Sequence, residues 1–271
     1  MREQISAVII SFNEEKNLPR CLKSILWADE ILIIDSFSTD NTCAIAREFN
    51  ARVIQNAFPG YTLQYEFGVG HAKHNWIFII DADEEVSPEL RIEIEQTFAD
   101  GNVEFQGYDI PRCLNFLGKW IRWGGWYPDY QFRLFNKEFV TVEHQEVHGA
   151  FSPKGPIGKL KQDLYHFSYP TIFDYIAKIN TYTSLMVAVR LKEGRNRKVR
   201  WHNVLLHPLS NFLRMYFTHH GFKDGYQGLI LALFTSIDNF IMYVKLWEHQ
   251  YAKLQRLEPP PITHHDFQKR K

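Results

Sequence analysis

Cysteine is scarce in this sequence, no cysteine pairing pattern is visible, and long apolar runs are missing. The three cysteines, Cys21, Cys43 and Cys113, are odd in number and widely spaced, so they can build neither a disulfide framework nor a paired CxxC metal site. A reducing compartment is the expectation. No uninterrupted apolar stretch reaches ~18 residues, and residues 1 to 12 lack an apolar core behind a basic start; neither a spanning helix nor a secretory leader is indicated. Net charge is absent as well, since 31 Lys+Arg meet 31 Asp+Glu. That balance conceals an asymmetry: residues 1 to 150 carry 13 basic against 23 acidic side chains, and residues 151 to 271 carry 18 against 8. An acidic half suits the collection of a divalent cation, and a basic, aromatic half suits a polyanionic surface. The basic residues cluster with apolar segments and no recognisable nucleic-acid module accompanies them, so nucleic acid is not expected as a partner.

What is present is enough to fold. The 271 residues are 45% hydrophobic and 15% aromatic, which excludes a largely disordered chain and fits one large α/β domain or a catalytic domain with an appendage. In the N-terminal half strand and helix signals alternate. Ile5 to Ser11 is a β-branched run, Glu30 to Asp35 a second strand, Ala51 to Gln55 a third, and Asn75 to Asp81 a continuous apolar strand of the kind buried on both faces of a parallel sheet. Helical patterns lie between them, starting near Leu18, after the capping residues Ser38 to Thr42, and over Gln64 to Lys73; a further helix follows Pro88. Repeated βα units predict a doubly wound sheet with ligands at the carboxyl ends of its strands. The acidic residues fall on that rim: Glu14 and Glu15 after the first strand, Asp35 after the second, Asp81 and Asp83 after the fourth.

Asp81-Ala82-Asp83 at a strand end is expected to turn two carboxylates to one side, where they can share a hard cation with a substrate's phosphates. A phosphatase with a DxD nucleophile pair would place that motif after its first strand and a Thr or Val where this chain has Glu85. A nucleotidyltransferase would need a glycine- and lysine-rich loop in place of Ser11-Phe12-Asn13-Glu14. Arg133 offers a planar guanidinium to a diphosphate, or serves as a structural partner for a carboxylate. Trp120, Trp123 and Trp126 can form a sugar-stacking platform, but their spacing of three is equally that of a packed helical face.

Three early blocks, Ile9-Ile10-Ser11-Phe12-Asn13-Glu14-Glu15, Ile34-Asp35-Ser36-Phe37-Ser38-Thr39-Asp40-Asn41-Thr42 and Ile80-Asp81-Ala82-Asp83-Glu84, resemble the family-2 glycosyltransferases. The resemblance implies an α/β, GT-A type, doubly wound, mostly parallel sheet with a helical C-terminal extension. Later blocks, Gly125 to Phe135, Val147-His148 and Gly221 to Gly228, resemble the branch that adds glucose to the inner core of bacterial lipopolysaccharide. Carried onto this chain, the resemblance implies an inverting transfer from a UDP-sugar. Glu14 or Glu15 and Asp35 would accept hydrogen bonds from uracil and ribose, Asp81 would lie nearer the ribose, and Asp83 would hold Mn2+ or Mg2+ on the diphosphate. Asp129, two residues ahead of Gln131-Phe132-Arg133, is the candidate general base; it departs from the commoner Glu-Asp pattern, and Glu143 and Glu146 are rivals. His148 and Trp126 are acceptor-side candidates, and His166 reads as an acceptor residue, a metal ligand or a loop histidine.

The chain is expected to divide into a catalytic domain over residues 1–168 and a helical, basic extension over 169–271. Lys192 to Arg200 holds five basic residues and one acid ahead of Trp201, and apolar residues from Tyr226 to Trp247 keep helical spacing with Asp238 and Lys245 interrupting any spanning assignment. Such a combination suits an interfacial anchor on anionic lipid at the inner face of the cytoplasmic membrane, or helices packed on the catalytic domain or a second subunit. The expected acceptor is lipid-linked, the inner-core heptose first; another lipid-linked or protein acceptor, or a non-catalytic lipid-binding scaffold, are the alternatives.

Overall fold

A computed structural model describes residues 2–99, 101, 103–143, 150–192, 194 and 198–254. The chain divides into two compact units, Met1–Leu114 with Pro128–Ser168, and Asn115–Tyr127 with Tyr169–Lys271. In chain order the elements are β1 (Ile5–Ser11), α1 (Leu18–Ser24), β2 (Glu30–Asp35), α2 (Thr42–Glu48), β3 (Arg52–Gln55), α3 (Tyr61–His71), β4 (Trp76–Ile79), β5 (Glu84–Val86), α4 (Pro88–Thr97), β6 (Gly107–Phe116), β7 (Lys119–Trp120), β8 (Asp129–Asn136), β9 (Val140–Glu143), β10 (Ala150–Pro153), β11 (Gly158–Lys159), β12 (Leu164–Tyr169), α5 (Ile172–Lys192), α6 (Trp201–Leu213) and α7 (Gly225–Leu254).

In the first unit the predicted βα repeats form the parallel part of a sheet ordered β3-β2-β1-β4-β8-β6-β12-β5. Strand β1 pairs in parallel with β2 and β4, and β2 with β3; beyond β4 the neighbours β8 and β6 run antiparallel. Because successive strand residues face opposite ways, each apolar run supplies two cores. Ile5, Ala7, Ile9, Ile33, Phe78 and Ile80 pack with Leu18, Cys21 and Leu22 of α1 and with Leu90 and Ile94 of α4 on one face. Val8, Leu32, Ile34, Ile77 and Ile79 pack with Tyr65 and Val69 of α3 on the other. Each fully buried large apolar side chain stabilises the fold by about 1.5–3 kcal/mol, so this two-sided burial is the main term holding the rim in place. Helix α4 starts as its sequence demands: the Ser87 hydroxyl accepts the Leu90 amide at 3.1 Å and Pro88 occupies the first turn. Helix α3 lies so near the sheet that a Cβ on Gly68 would stand 2.7 Å from Val8 Cγ1.

The second unit is helical after Tyr169. Tyr175 of α5 stacks on Phe234 of α7 at 4.9 Å, and Val187, Val199, Met242 and Leu246 form a small core. By length and composition the segment Gly221–Lys253 is long and apolar enough to cross a membrane. Two of the charged residues inside it are engaged by α5: Tyr175 donates to Asp238 at 3.2 Å, and Lys245 donates to Asn180, Thr183 and Ser184. The tryptophan spacing does not produce a helical face. Trp120 lies in β7, while Trp123 and Trp126 sit in a loop turned by Gly124 and Gly125 at φ 73° and 80°. Buried Asp224 holds that loop by accepting the Arg122 and Trp123 amides at 3.1 and 2.8 Å.

Candidate active site

The rim begins where β1 and β2 end side by side, with Ser11 in register with Asp35. Two left-handed residues mark the exit of the chain from these strands, Asn13 at φ 55° and Phe37 at φ 60°. For an aromatic residue that backbone is costly, and such strain persists where the surroundings over-determine it, commonly at functional sites. Asn13 Oδ1 accepts the Thr39 amide at 2.8 Å, and the Asn13 amide donates to Ser38, so the two loops are tied together. Asp35 is wholly buried and accepts from the Ser11 and Ser38 hydroxyls and the Ser38 amide. Glu14 is buried and accepts from Asn17 at 2.8 Å, whereas half-buried Glu15 accepts from the Asn41 amide and side chain. In this structure, then, the three carboxylates brace the rim loops.

Strand β4 stops at Ile79, one residue short of the carboxylates, and a turn closed by the Glu84 amide on the Asp81 carbonyl (3.0 Å) takes over. The expectation that strand alternation places Asp81 and Asp83 is therefore corrected: a turn carries them, and each has its own partner. Asp81 takes Arg133 at 2.6 Å and the Tyr65 hydroxyl. Asp83 Oδ2 stands 3.5 Å from His166 Nε2, a contact carried by β12 against β5. Burial pushes the Asp81 carboxyl up, but the Arg133 guanidinium and the Tyr65 hydroxyl outweigh it and hold the group below the usual carboxylate range. The Tyr65 hydroxyl is pushed up by its own burial and by the Asp81 charge.

Two residues to which sequence reasoning assigned no role join this rim to Asp129. Glu84, fully buried, accepts the Asp81 amide at 3.0 Å through one oxygen and Arg133 at 2.9 Å through the other, with Arg112 Nη1 at 3.5 Å from that second oxygen. Arg112 lies opposite Asp129 in the β6–β8 ladder and grips Asp129 Oδ2 through Nε and Nη2 at 2.9 and 2.6 Å. Gln131 donates to Oδ1 at 2.8 Å, and the Asp129 side chain remains 40% exposed. The result is one continuous chain of charge, Asp81–Arg133–Glu84–Arg112–Asp129. A signal for Arg112 existed in the sequence, a lone charge inside the apolar run Ile110 to Leu114; for Glu84 it was the acid adjoining the DxD motif.

Of the two readings of Arg133, the structure displays the partnership with carboxylates, Asp81 and Glu84, and the guanidinium is buried. Trp126 is half-buried within the second unit. His148 and Glu146 lie outside the described residues, as does the side chain of Glu143.

The rim thus gathers strand-end carboxylates, the Asp83–His166 carboxylate–imidazole pair and an aspartate gripped by Arg112. Comparison with known proteins gives the family. Residues 6–155 match the model of glycosyl transferase family 2, more than half of the chain, and the protein belongs to that family. It is 30% identical over 270 residues to an uncharacterized glycosyltransferase of Rickettsia felis, covering 91% of this chain and 90% of that one. It is 27% identical over 272 residues to the lipopolysaccharide core biosynthesis glycosyltransferase LpsC of Rhizobium meliloti, covering 96% and 98%. Among solved structures it aligns with glucosyl-3-phosphoglycerate synthase of Mycobacterium tuberculosis, bound to Mn2+, UDP and phosphoglyceric acid, at TM-score 0.47 and 15% identity over 69% of this chain and 78% of that one.

Proposed function

We propose that this glycosyltransferase is an inverting, metal-dependent enzyme that moves glucose from UDP-glucose to a lipid-linked acceptor, the heptose of a lipopolysaccharide inner core, at the cytoplasmic face of the membrane. The observation that carries the reading is the charge chain from Asp81 to Asp129, which joins the carboxylates on the donor side to an exposed carboxylate on the neighbouring antiparallel strand. Near-complete coverage of LpsC supports the acceptor class.

Asp83 and His166 are the residues that would hold the metal. The Asp83 carboxylate suits Mn2+ and Mg2+, the His166 imidazole beside it is the softer of the two ligands, and each side chain is partly open, at 22% and 15%. Among the described residues no group of three or more His, Cys, Asp or Glu is placed to hold a metal. Two protein ligands are nevertheless enough where a diphosphate supplies further oxygens. When bound, the ion would offset negative charge developing on the leaving diphosphate. The protein's own share is positional. Glu14, Glu15 and Asp35 shape the loops that receive the nucleoside, Arg133 and Tyr65 hold Asp81, and Arg112 fixes Asp129 Oδ2. That leaves Oδ1, shared with Gln131, to accept the proton of the acceptor hydroxyl.

The test has two parts. Thermal shift with UDP, GDP, CDP and dTDP, each with Mn2+ and with EDTA, should show stabilisation by UDP that EDTA abolishes and that Asp83→Ala loses. Asp129→Asn should keep that shift and lose ~10²-fold or more of glucose transfer to heptose-terminated lipopolysaccharide. Wild-type turnover in Asp129→Asn would move the base to Glu143 or Glu146, and a UDP shift indifferent to EDTA would end the metal assignment.

A further inference from the structure

Helix α6 is folded with an apolar row outward. Trp201, Leu205 and Leu209 recur every four residues and are 70%, 58% and 54% exposed, and Leu213 and Phe217 continue the row. The inward side carries a polar residue: Asn211 is buried beside Met215, and Val204 packs on the cluster of Val187, Val199, Met242 and Leu246. A helix meant to face water has the opposite arrangement. An apolar medium therefore covers the row, and the surrounding charge identifies it. From Gly194 to Lys223 the sequence contains no Asp or Glu, but it carries Arg195, Arg197, Lys198, Arg200, Arg214 and Lys223, with His202, His207, His219 and His220. A second copy meeting this face about a two-fold axis would set these cations against their own equivalents. An anionic bilayer offers acyl chains to the leucines and phosphates to the cations, and its interface is where tryptophan prefers to lie.

We propose that α6, rather than the longer α7, is the element that seats this chain on anionic lipid. It lies along the interface with Trp201, Leu205, Leu209 and Leu213 in the acyl boundary and Lys198, Arg200 and Arg214 among the headgroups. Helix α7 buries Leu231, Ala232, Met242 and Leu246 and commits Asp238 and Lys245 to α5; it too exposes apolar residues, among them Leu233, Ile237 and Phe240, but from Gln227 to Val244 it has no Lys or Arg to meet headgroups. The inference rests on the membrane-associated reading above and names the contact.

Flotation of the full chain with phosphatidylglycerol–phosphatidylcholine vesicles tests it, with pure phosphatidylcholine as the uncharged comparison. Wild type should float with the anionic vesicles alone. Leu205→Glu/Leu209→Glu should weaken binding at least tenfold, and Lys198→Glu/Arg200→Glu, which touches only exposed side chains, by about thirtyfold or more at low salt. Leu233→Glu/Ile237→Glu on α7 should stay within twofold. Wild-type binding that survives both α6 variants would overturn the α6 assignment while leaving membrane association standing. Absence of wild-type binding to anionic vesicles would remove both. A dimer in light scattering that Leu205→Glu/Leu209→Glu converts to a monomer would overturn the proposal in favour of a second copy.

Discussion

Glu84→Gln removes one charge from the middle of the chain that links Asp81 to Asp129 and leaves the side-chain shape unchanged. In wild type both oxygens of Glu84 act as acceptors, from the Asp81 amide at 3.0 Å and Arg133 at 2.9 Å. A glutamine can keep only one of these, because its amide nitrogen must then face either the Asp81 N–H or a guanidinium, donor against donor. Losing a charge-assisted hydrogen bond costs about 1.5–3 kcal/mol, and stripping one partner from a buried ion pair about 3–5. Arg133 keeps Asp81 and Arg112 keeps Asp129, so the lower end applies, about 3 kcal/mol. For a unit of this size that lowers Tm by about 6–12 °C. Calorimetric melting at pH 7.5 reads it, and a double-mutant cycle with Arg133→Met should return a coupling of about 1 kcal/mol or more. Burial, helped by the neighbouring Asp81 charge, outweighs the pull of Arg133 and Arg112 and holds the Glu84 carboxyl above the usual carboxylate range. A fall in Tm below about 2 °C would mean that the raised Glu84 carboxyl is already protonated at pH 7.5, and the charge chain would be refuted.

Acid should weaken the first unit through Glu30 in particular. Its burial raises the carboxyl, but the Ser6 hydroxyl, the Lys73 amide and Arg52 hold it below the ordinary value near 4.5. A depressed carboxyl stabilises the fold above its unfolded value and loses that contribution as pH falls through the lower folded one. Between pH 5 and 3 the Tm of wild type should therefore drop more steeply than that of Glu30→Gln, and parallel slopes would remove the assignment. Gly228→Ala would drive a methyl group into the Gly221 carbonyl and within 3.0 Å of Asp224 Cβ. Overpacking of about 1–3 kcal/mol should outweigh the helix-propensity gain of about 1. Urea unfolding as stable as wild type would show that the Gly221–Asp224 turn yields. Gly68→Ala meets Val8 and Ile34 side chains instead of backbone, so its cost should be the smaller of the two in the same titration.

The parallel half of the sheet was legible because Ile5–Ser11, Glu30–Asp35 and Trp76–Ile79 are short apolar runs between helical patterns, a signal that survives without knowledge of partners. The family was legible from the rim blocks. Strand β8 was not, since aromatic residues at Tyr130, Phe132 and Phe135 interrupt simple polar–apolar alternation and the segment reads as irregular. Its register matters most, because only the pairing of Arg112 with Asp129 shows how the carboxylate is held, and no local pattern reports a contact 17 residues away. The tryptophan spacing misled for a related reason: Gly124 and Gly125 take left-handed φ values that end any helical phase. Burial inverted on α6 was invisible as well, because periodicity locates an apolar stripe and is silent about which side it faces.

Arg112 and Asp129 are the last ladder pair at the end of β6 nearest the point where the chain leaves the first unit, and Asp129 stands one residue after the chain returns. The excursion between them is bounded by a clasp of two charged hydrogen bonds. The excursion has its own anchor, since Asp224 accepts the Arg122 and Trp123 amides, and the clasp holds β8 on β6 independently of it. The position of Asp129 is thereby set within the first unit, by Arg112 and Gln131, and not by the excursion that precedes it in sequence.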